Sequence, residues 1–189
     1  MSTPYIPAFE VAGHFARALE AAGIPYAIGG AIALGAWSDP RGTHDVDLDV
    51  FVDDAGLENA LDVLIAAGLE LDRDAARVAH RQGDVLVGRY QGMRVDVFTP
   101  SIPFAWAARD TRRRLVGPSG EADYLSPEAT AIFKLLFFRP KDLLDIEKLL
   151  AVQRRDLDAP YVRRWVVEMM GEADERVIAW DALVAKYWH

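Results

Sequence analysis

The chain has 189 residues, 51% of them hydrophobic and 26% charged, enough for one substantial core or two small packed modules of ordinary globular composition. Its apolar stretches stop after a few residues, well short of the roughly 20 needed to cross a bilayer. Met1-Ser2-Thr3-Pro4-Tyr5 has no basic-then-apolar leader, and no cysteine is present for a disulfide, a thiolate metal site or a thiol nucleophile, so a cytoplasmic location is expected.

Residues 8 to 22 carry apolar side chains at helical spacing, and Gly23 is a natural stop. Ile24 to Ile28 reads as a short strand running into Gly29-Gly30, followed by a short helix from Ala31 to about Trp37 and a loop over Ser38 to Gly42. From Asp45 to Val52 the sequence alternates strictly, which predicts a strand with one apolar and one carboxylate face. Residues 56 to 68 predict an amphipathic helix. Val85–Tyr90 and Met93–Phe98 predict a hairpin closed by Gln91-Gly92. Beyond Thr99-Pro100 the pattern becomes helical, at roughly 103–112, 126–138, 141–153, 160–170 and 173–187. Strands with interspersed helices first, and helices afterwards, predict an α/β or α+β module followed by a helical one, with the boundary near residue 100.

The net charge of −8 argues against a broad, nonspecific nucleic-acid surface. Arg112 to Arg114 reads as a solvated basic turn, or as a contact for nucleic acid or a partner. The carboxylates at 45 to 54 are more informative. Alternate residues of a strand point the same way about 7 Å apart, so Asp45, Asp47 and Asp49 share a face. Like charges in a row repel, and a bound cation would relieve them; the alternative is an exposed edge strand with solvated aspartates. In Met93 to Phe98, Asp96 shares a face with Arg94 and Phe98. It is a candidate for metal ligation or for an ion pair with Arg89 or Arg94. Gly29-Gly30, between strand and helix, lets backbone approach a phosphate closely or simply makes a tight turn.

In order, Ile28-Gly29-Gly30-Ala31 followed by Arg41-Gly42-Thr43-His44-Asp45-Val46-Asp47-Leu48 resembles the signature of the DNA polymerase β-type nucleotidyltransferase superfamily. The Arg-x-Thr-x-Asp-hydrophobic-Asp-Leu form resembles more narrowly the AbiEii-like nucleotidyltransferases, which include toxins of toxin–antitoxin systems. A second segment is similar to that group's downstream motif: Ile132-Phe133-Lys134-Leu135-Leu136, then Arg139-Pro140-Lys141-Asp142-Leu143-Leu144-Asp145-Ile146. The gap of 14 residues between Gly30 and Asp45 is slightly longer than the usual spacing, and Asp47 with Asp49 offers an alternative Asp-x-Asp pair.

The resemblance implies an α+β fold: a small mixed nucleotidyltransferase sheet flanked by helices over 1–100, then a C-terminal helical region over 101–189. It also implies a metal-dependent enzyme that moves a nucleoside monophosphate from an NTP such as ATP to an acceptor hydroxyl. Asp45, Asp47 and Asp96 would be the catalytic, Mg2+-binding carboxylates. Gly29, Gly30, Arg41, Thr43, Lys134, Arg139 and Lys141 would bind the nucleotide. The acceptor would be tRNA, as for a toxin with an antitoxin partner, or a small molecule of the aminoglycoside kind, which the acidic composition suits. A nucleotide-binding regulatory module without turnover is the alternative from another class. For Lys141, Asp142 and Asp145 a structural role is equally open, since Lys141 and Asp145 are spaced as an i,i+4 pair. His44 beside the carboxylates reads as incidental. Trp165, Trp180, Tyr187 and Trp188 read as packing residues.

Overall fold

The computed structural model describes residues 6–188. In its first half, helix α1 (Ala8–Ala21) leads to strand β1 (Tyr26–Ile28), helix α2 (Gly30–Trp37) and strand β2 (Asp45–Val50). Helices α3 (Leu57–Ala66) and α4 (Arg73–Gln82) then precede the hairpin β3 (Leu86–Tyr90) and β4 (Met93–Phe98). Gln91 and Gly92 both have positive φ, 50° and 85°, the two-residue turn that matches strand twist.

The second half is not wholly helical. Between α5 (Pro103–Thr111) and α6 (Pro127–Phe137) lies a second hairpin, β5 (Arg113–Gly117) and β6 (Gly120–Tyr124). Helices α7 (Pro140–Gln153), α8 (Ala159–Met170) and α9 (Glu175–Tyr187) complete the described residues. β6 pairs in parallel with β1, so the six strands form one mixed sheet in the order β3-β4-β2-β1-β6-β5. The sheet therefore runs across the boundary expected near residue 100. The basic segment expected as a turn is strand edge: Arg112 Nε donates to Asp123 Oδ2 at 2.8 Å, and Arg114 pairs with Glu20.

One apolar cluster joins the two halves. Val46 and Leu48 of β2 and Val95 and Val97 of β4 are buried on one side of the sheet, as strict alternation requires. In the helical half Ile132, Leu135, Ile146 and Leu149 are fully buried, and α2 packs against both α6 and α7. The C-terminal aromatics pack as expected: Trp180 is buried, Trp165 meets Phe104 edge-on at 5.1 Å, and Trp188 Nε1 donates to the Leu157 carbonyl at 2.9 Å.

Candidate active site

β2 and β4 run parallel, with Asp45 opposite Arg94, Asp47 opposite Asp96 and Asp49 opposite Phe98. Because side chains alternate, these six project from the same side of the sheet, away from Val46, Leu48, Val95 and Val97. They line a cleft of about 520 Å³ that is closed on its far side by α6 and the start of α7.

The glycine pair is dictated by this carboxylate row. Gly30 has φ +55°, a left-handed conformation that disfavours a side chain, and a Cβ there would lie 1.7 Å from Asp47 Oδ2. A Cβ on Gly29 would come within 2.6 Å of Asp49 Oδ2. The Gly29 N–H donates to the Asp47 carbonyl at 2.9 Å, which locks the start of α2 against β2.

Electrostatically the row is only partly compensated: four aspartates share one directly bonded cation, Arg94. Burial, then the charges of Asp45 and Asp96, push the Asp47 carboxyl up to about 6. Burial, reinforced by Asp47, raises Asp49 well above the usual carboxylate range. Among the described residues Asp45 has only the neutral Thr43 hydroxyl, which donates to its carboxylate. Asp96 accepts from Arg94 Nε at 2.8 and 3.0 Å, so the ion pair considered for it with Arg94 forms, whereas Arg89 donates instead to the Gly92 carbonyl.

The opposite wall is basic and mostly paired. Lys134, whose side chain is 8% exposed, donates to Asp145 Oδ2 at 2.7 Å and lies 3.6 Å from Asp142 Oδ1. Arg41 forks onto Asp145 at 3.2 and 3.0 Å. Arg139 holds Asp142 through Nε at 2.6 Å and through its backbone N–H at 3.1 Å, which also caps α7. Burial works to raise both carboxyls, but the Arg139 bond and Lys134 charge at Asp142, and the Arg41 and Lys134 bonds at Asp145, leave both lowered. Asp145 is thus the partner of Arg41 and Lys134, in place of the i,i+4 pairing with Lys141 that the spacing offered. Lys141 is exposed at the cleft edge. Three cations against two carboxylates, with Lys141 beside them, leave this wall net positive. Lys134 and Arg139 both act to lower the Asp47 carboxyl, so the two walls lie within electrostatic reach of each other.

The sequence motifs thus converge: Gly30, Arg41, Asp45, Asp47, Asp96, Lys134, Arg139 and Lys141 all line one cleft. Gly29 caps α2 behind it, Thr43 touches Asp45, and His44 is exposed outside it. The apolar part of the lining, including Phe133 and Phe137, was not visible beforehand. Phe137 is 51% exposed, meets Phe98 edge-on at 6.1 Å, and carries the Arg139 guanidinium 4.8 Å above its ring. Thr130 on α6 also lines the cleft, and its buried hydroxyl oxygen has no partner among the described residues.

This sheet and helix arrangement is shared with nucleotidyltransferase-like proteins of known structure. The chain is similar to an antigenic nucleotidyltransferase-like protein from Paracoccidioides brasiliensis, at 20% identity and a TM-score of 0.53 over 91% of this chain and 92% of the other. It is also similar to the lincosamide antibiotic adenylyltransferase LnuA in its lincomycin-bound form, at 15% identity and a TM-score of 0.54 over 79% and 99% of the two chains. The antibiotic-resistance factor ANT(2'')-Ia is similar at 14% identity and a TM-score of 0.52 over 95% and 92%. No protein-family model and no curated protein sequence matches the chain.

Proposed function

We propose that the chain is a metal-dependent nucleotidyltransferase that moves a nucleoside monophosphate from an NTP to an acceptor hydroxyl. The observation that carries this is the opposition of a carboxylate row, Asp45, Asp47 and Asp96, with Arg94 as its one bonded cation, to a net positive wall across one cleft. A nucleoside triphosphate with a divalent cation complements both walls at once.

Asp45, Asp47 and Asp96 would hold Mg2+, which supplies charge neutralisation on the reacting phosphate oxygens. The donors fit such an ion: all are carboxylate oxygens, and the Asp47 carboxyl is raised by burial and by the Asp45 and Asp96 charges, the latter a repulsion that a cation would relieve. Among the described residues no three His, Asp or Glu side chains form a ready-made cage.

In the reaction the acceptor oxygen would bond to the α-phosphorus as the bond from that phosphorus to the leaving oxygen breaks. Pyrophosphate departs with the electron pair, and the hydroxyl proton passes to Asp96. Gly30 lets the phosphates approach the backbone, with Gly29 holding the start of α2 behind it, and Arg41, Lys134, Arg139 and Lys141 face the charge accumulating on the leaving group. Phe137, with Arg139 over one face, offers its exposed part to a nucleobase.

LnuA is a lincosamide adenylyltransferase in a lincomycin-bound structure. That bound antibiotic and the apolar residues lining this cleft favour a small-molecule acceptor, while the AbiEii resemblance favours tRNA and an antitoxin partner. The test is incubation with Mg2+ and NTP labelled at either the α or the γ phosphate, against tobramycin, lincomycin, protein and total tRNA. Acceptor labelling from the α position with release of pyrophosphate supports nucleotidyl transfer and names the acceptor class. Labelling from the γ position, or none from any NTP, contradicts it.

A further inference from the structure

At the cleft rim, beyond the end of β4, a three-residue relay is unaccounted for by the carboxylates and the basic wall. His80, in the last turn of α4, has its side chain 6% exposed. Its Nε2 lies 2.8 Å from Asp54 Oδ1 in the loop after β2, and its Nδ1 lies 2.8 Å from Thr99 Oγ1. Asp54 is itself 98% exposed and touches solvent, whereas Thr99 lines the cleft. Its rim neighbours Pro100, Ser101, Gly83 and Asp84 line the cleft as well.

An anionic oxygen at Nε2 fixes the proton of a neutral imidazole on that nitrogen and leaves Nδ1 as an acceptor. In that neutral tautomer of His80 the Thr99 hydroxyl donates to Nδ1. Its oxygen, with the proton already committed, has only lone pairs to offer elsewhere. A hydroxyl held this way is a fixed acceptor whose rotation has been frozen before any ligand arrives. No phosphate is served by such a group, because a phosphate oxygen needs a donor. The nucleotide already has its cations on the opposite wall, at α6 and α7.

We propose that Thr99 is an acceptor-binding residue: its Oγ1 accepts a hydrogen bond from a hydroxyl or ammonium group of the acceptor substrate and so positions the attacking oxygen near Asp96. His80 and Asp54 are positioning residues that act through Thr99. This rests on the nucleotidyl-transfer reading of the cleft and assigns one rim of it to the second substrate, selecting acceptors that carry a donor group beside the reacting hydroxyl.

The experiment measures KM for ATP and for the acceptor separately, with whichever of tobramycin, lincomycin or total tRNA the wild-type enzyme labels. Thr99→Val, which keeps the shape and removes the hydroxyl, is expected to raise the acceptor KM about tenfold with the ATP KM unchanged. Thr99→Ser is expected to restore it. His80→Ala is expected to move the acceptor KM in the same direction by a smaller factor. Melting temperatures of the Thr99 variants serve as the folding control. An unchanged acceptor KM in Thr99→Val, or an equal rise for ATP, overturns the assignment. If the wild type labels no acceptor at all, the reading of the cleft fails and this assignment falls with it, an outcome distinct from the KM result.

Discussion

The two walls of the cleft carry similar numbers of charges and differ in what surrounds them. On the basic wall every buried charge has a counter-charge within hydrogen-bond reach: Asp145 takes Lys134 and Arg41, and Asp142 takes Arg139. On the acidic wall Asp45 has a neutral hydroxyl, Asp96 has one half-exposed arginine, and burial and like charge push Asp47 up to about 6. The first arrangement holds the protein together. The second costs stability in the free protein and is explicable by what binds there.

The contrast is sharpened first by Asp47→Asn. The activity should fall by roughly a thousandfold, because a charge-neutralising ligand of the reacting phosphate is lost. The melting temperature of the free protein should hold or rise, since a repelled buried charge has gone. Single-turnover transfer and thermal melts check the two halves. Asp145→Asn should do the reverse. Removing one partner of a buried ion pair costs about 3–5 kcal/mol, which in a chain of this size lowers the melting temperature by about 10 °C. Equal stability of these two variants would erase the distinction between the walls.

Gly30→Ala comes next. Its left-handed backbone and the Asp47 oxygen in the way of a Cβ should cost about 1–3 kcal/mol of stability and displace Asp47, which a melt and an activity assay together would register. pH separates the walls again. The Asp47 carboxyl is raised in the folded state, so that state takes up its proton first as pH falls. Stabilisation by Mg2+ with nucleotide should therefore weaken as pH drops below about 6 and recover above it. Asp142 and Asp145 are lowered, so their contribution is complete above the ordinary Asp range and is lost only as pH falls through their depressed values. Melts from neutral to acid pH, with and without Mg2+ and nucleotide, resolve the two windows. The smallest effect is expected for the exposed Lys141→Ala, about a five-fold rise in KM for NTP with stability within about 0.5 kcal/mol.

The acidic wall was largely legible in the sequence, and the basic wall only in part. Asp45, Asp47 and Asp96 sit on regular strands, where alternation alone decides which residues share a face. Gly29-Gly30 announced a close approach, although its object is the Asp47 side chain rather than a ligand alone. Arg41 and Asp145 are 104 residues apart, and no local periodicity links them. The hairpin β5–β6 was hidden because β5 buries no residue and β6 alternates only over Ala122 and Tyr124. Helix α4 buries only Ala76 and so lacks an apolar stripe, which also concealed His80 and its bond to Thr99. Phe137 joins the cleft only because α6 folds back over the sheet.

The central claim is that the Asp45, Asp47 and Asp96 carboxylates are the place where a cation and a nucleotide meet. The most direct measurement is calorimetric titration of Mg2+ with a non-hydrolysable ATP analogue into the wild type and into Asp45→Asn/Asp47→Asn. The wild type should bind the pair in a Mg2+-dependent manner with release of protons below neutral pH, and the variant should fold normally yet fail to bind. Equal binding by both proteins would contradict the claim.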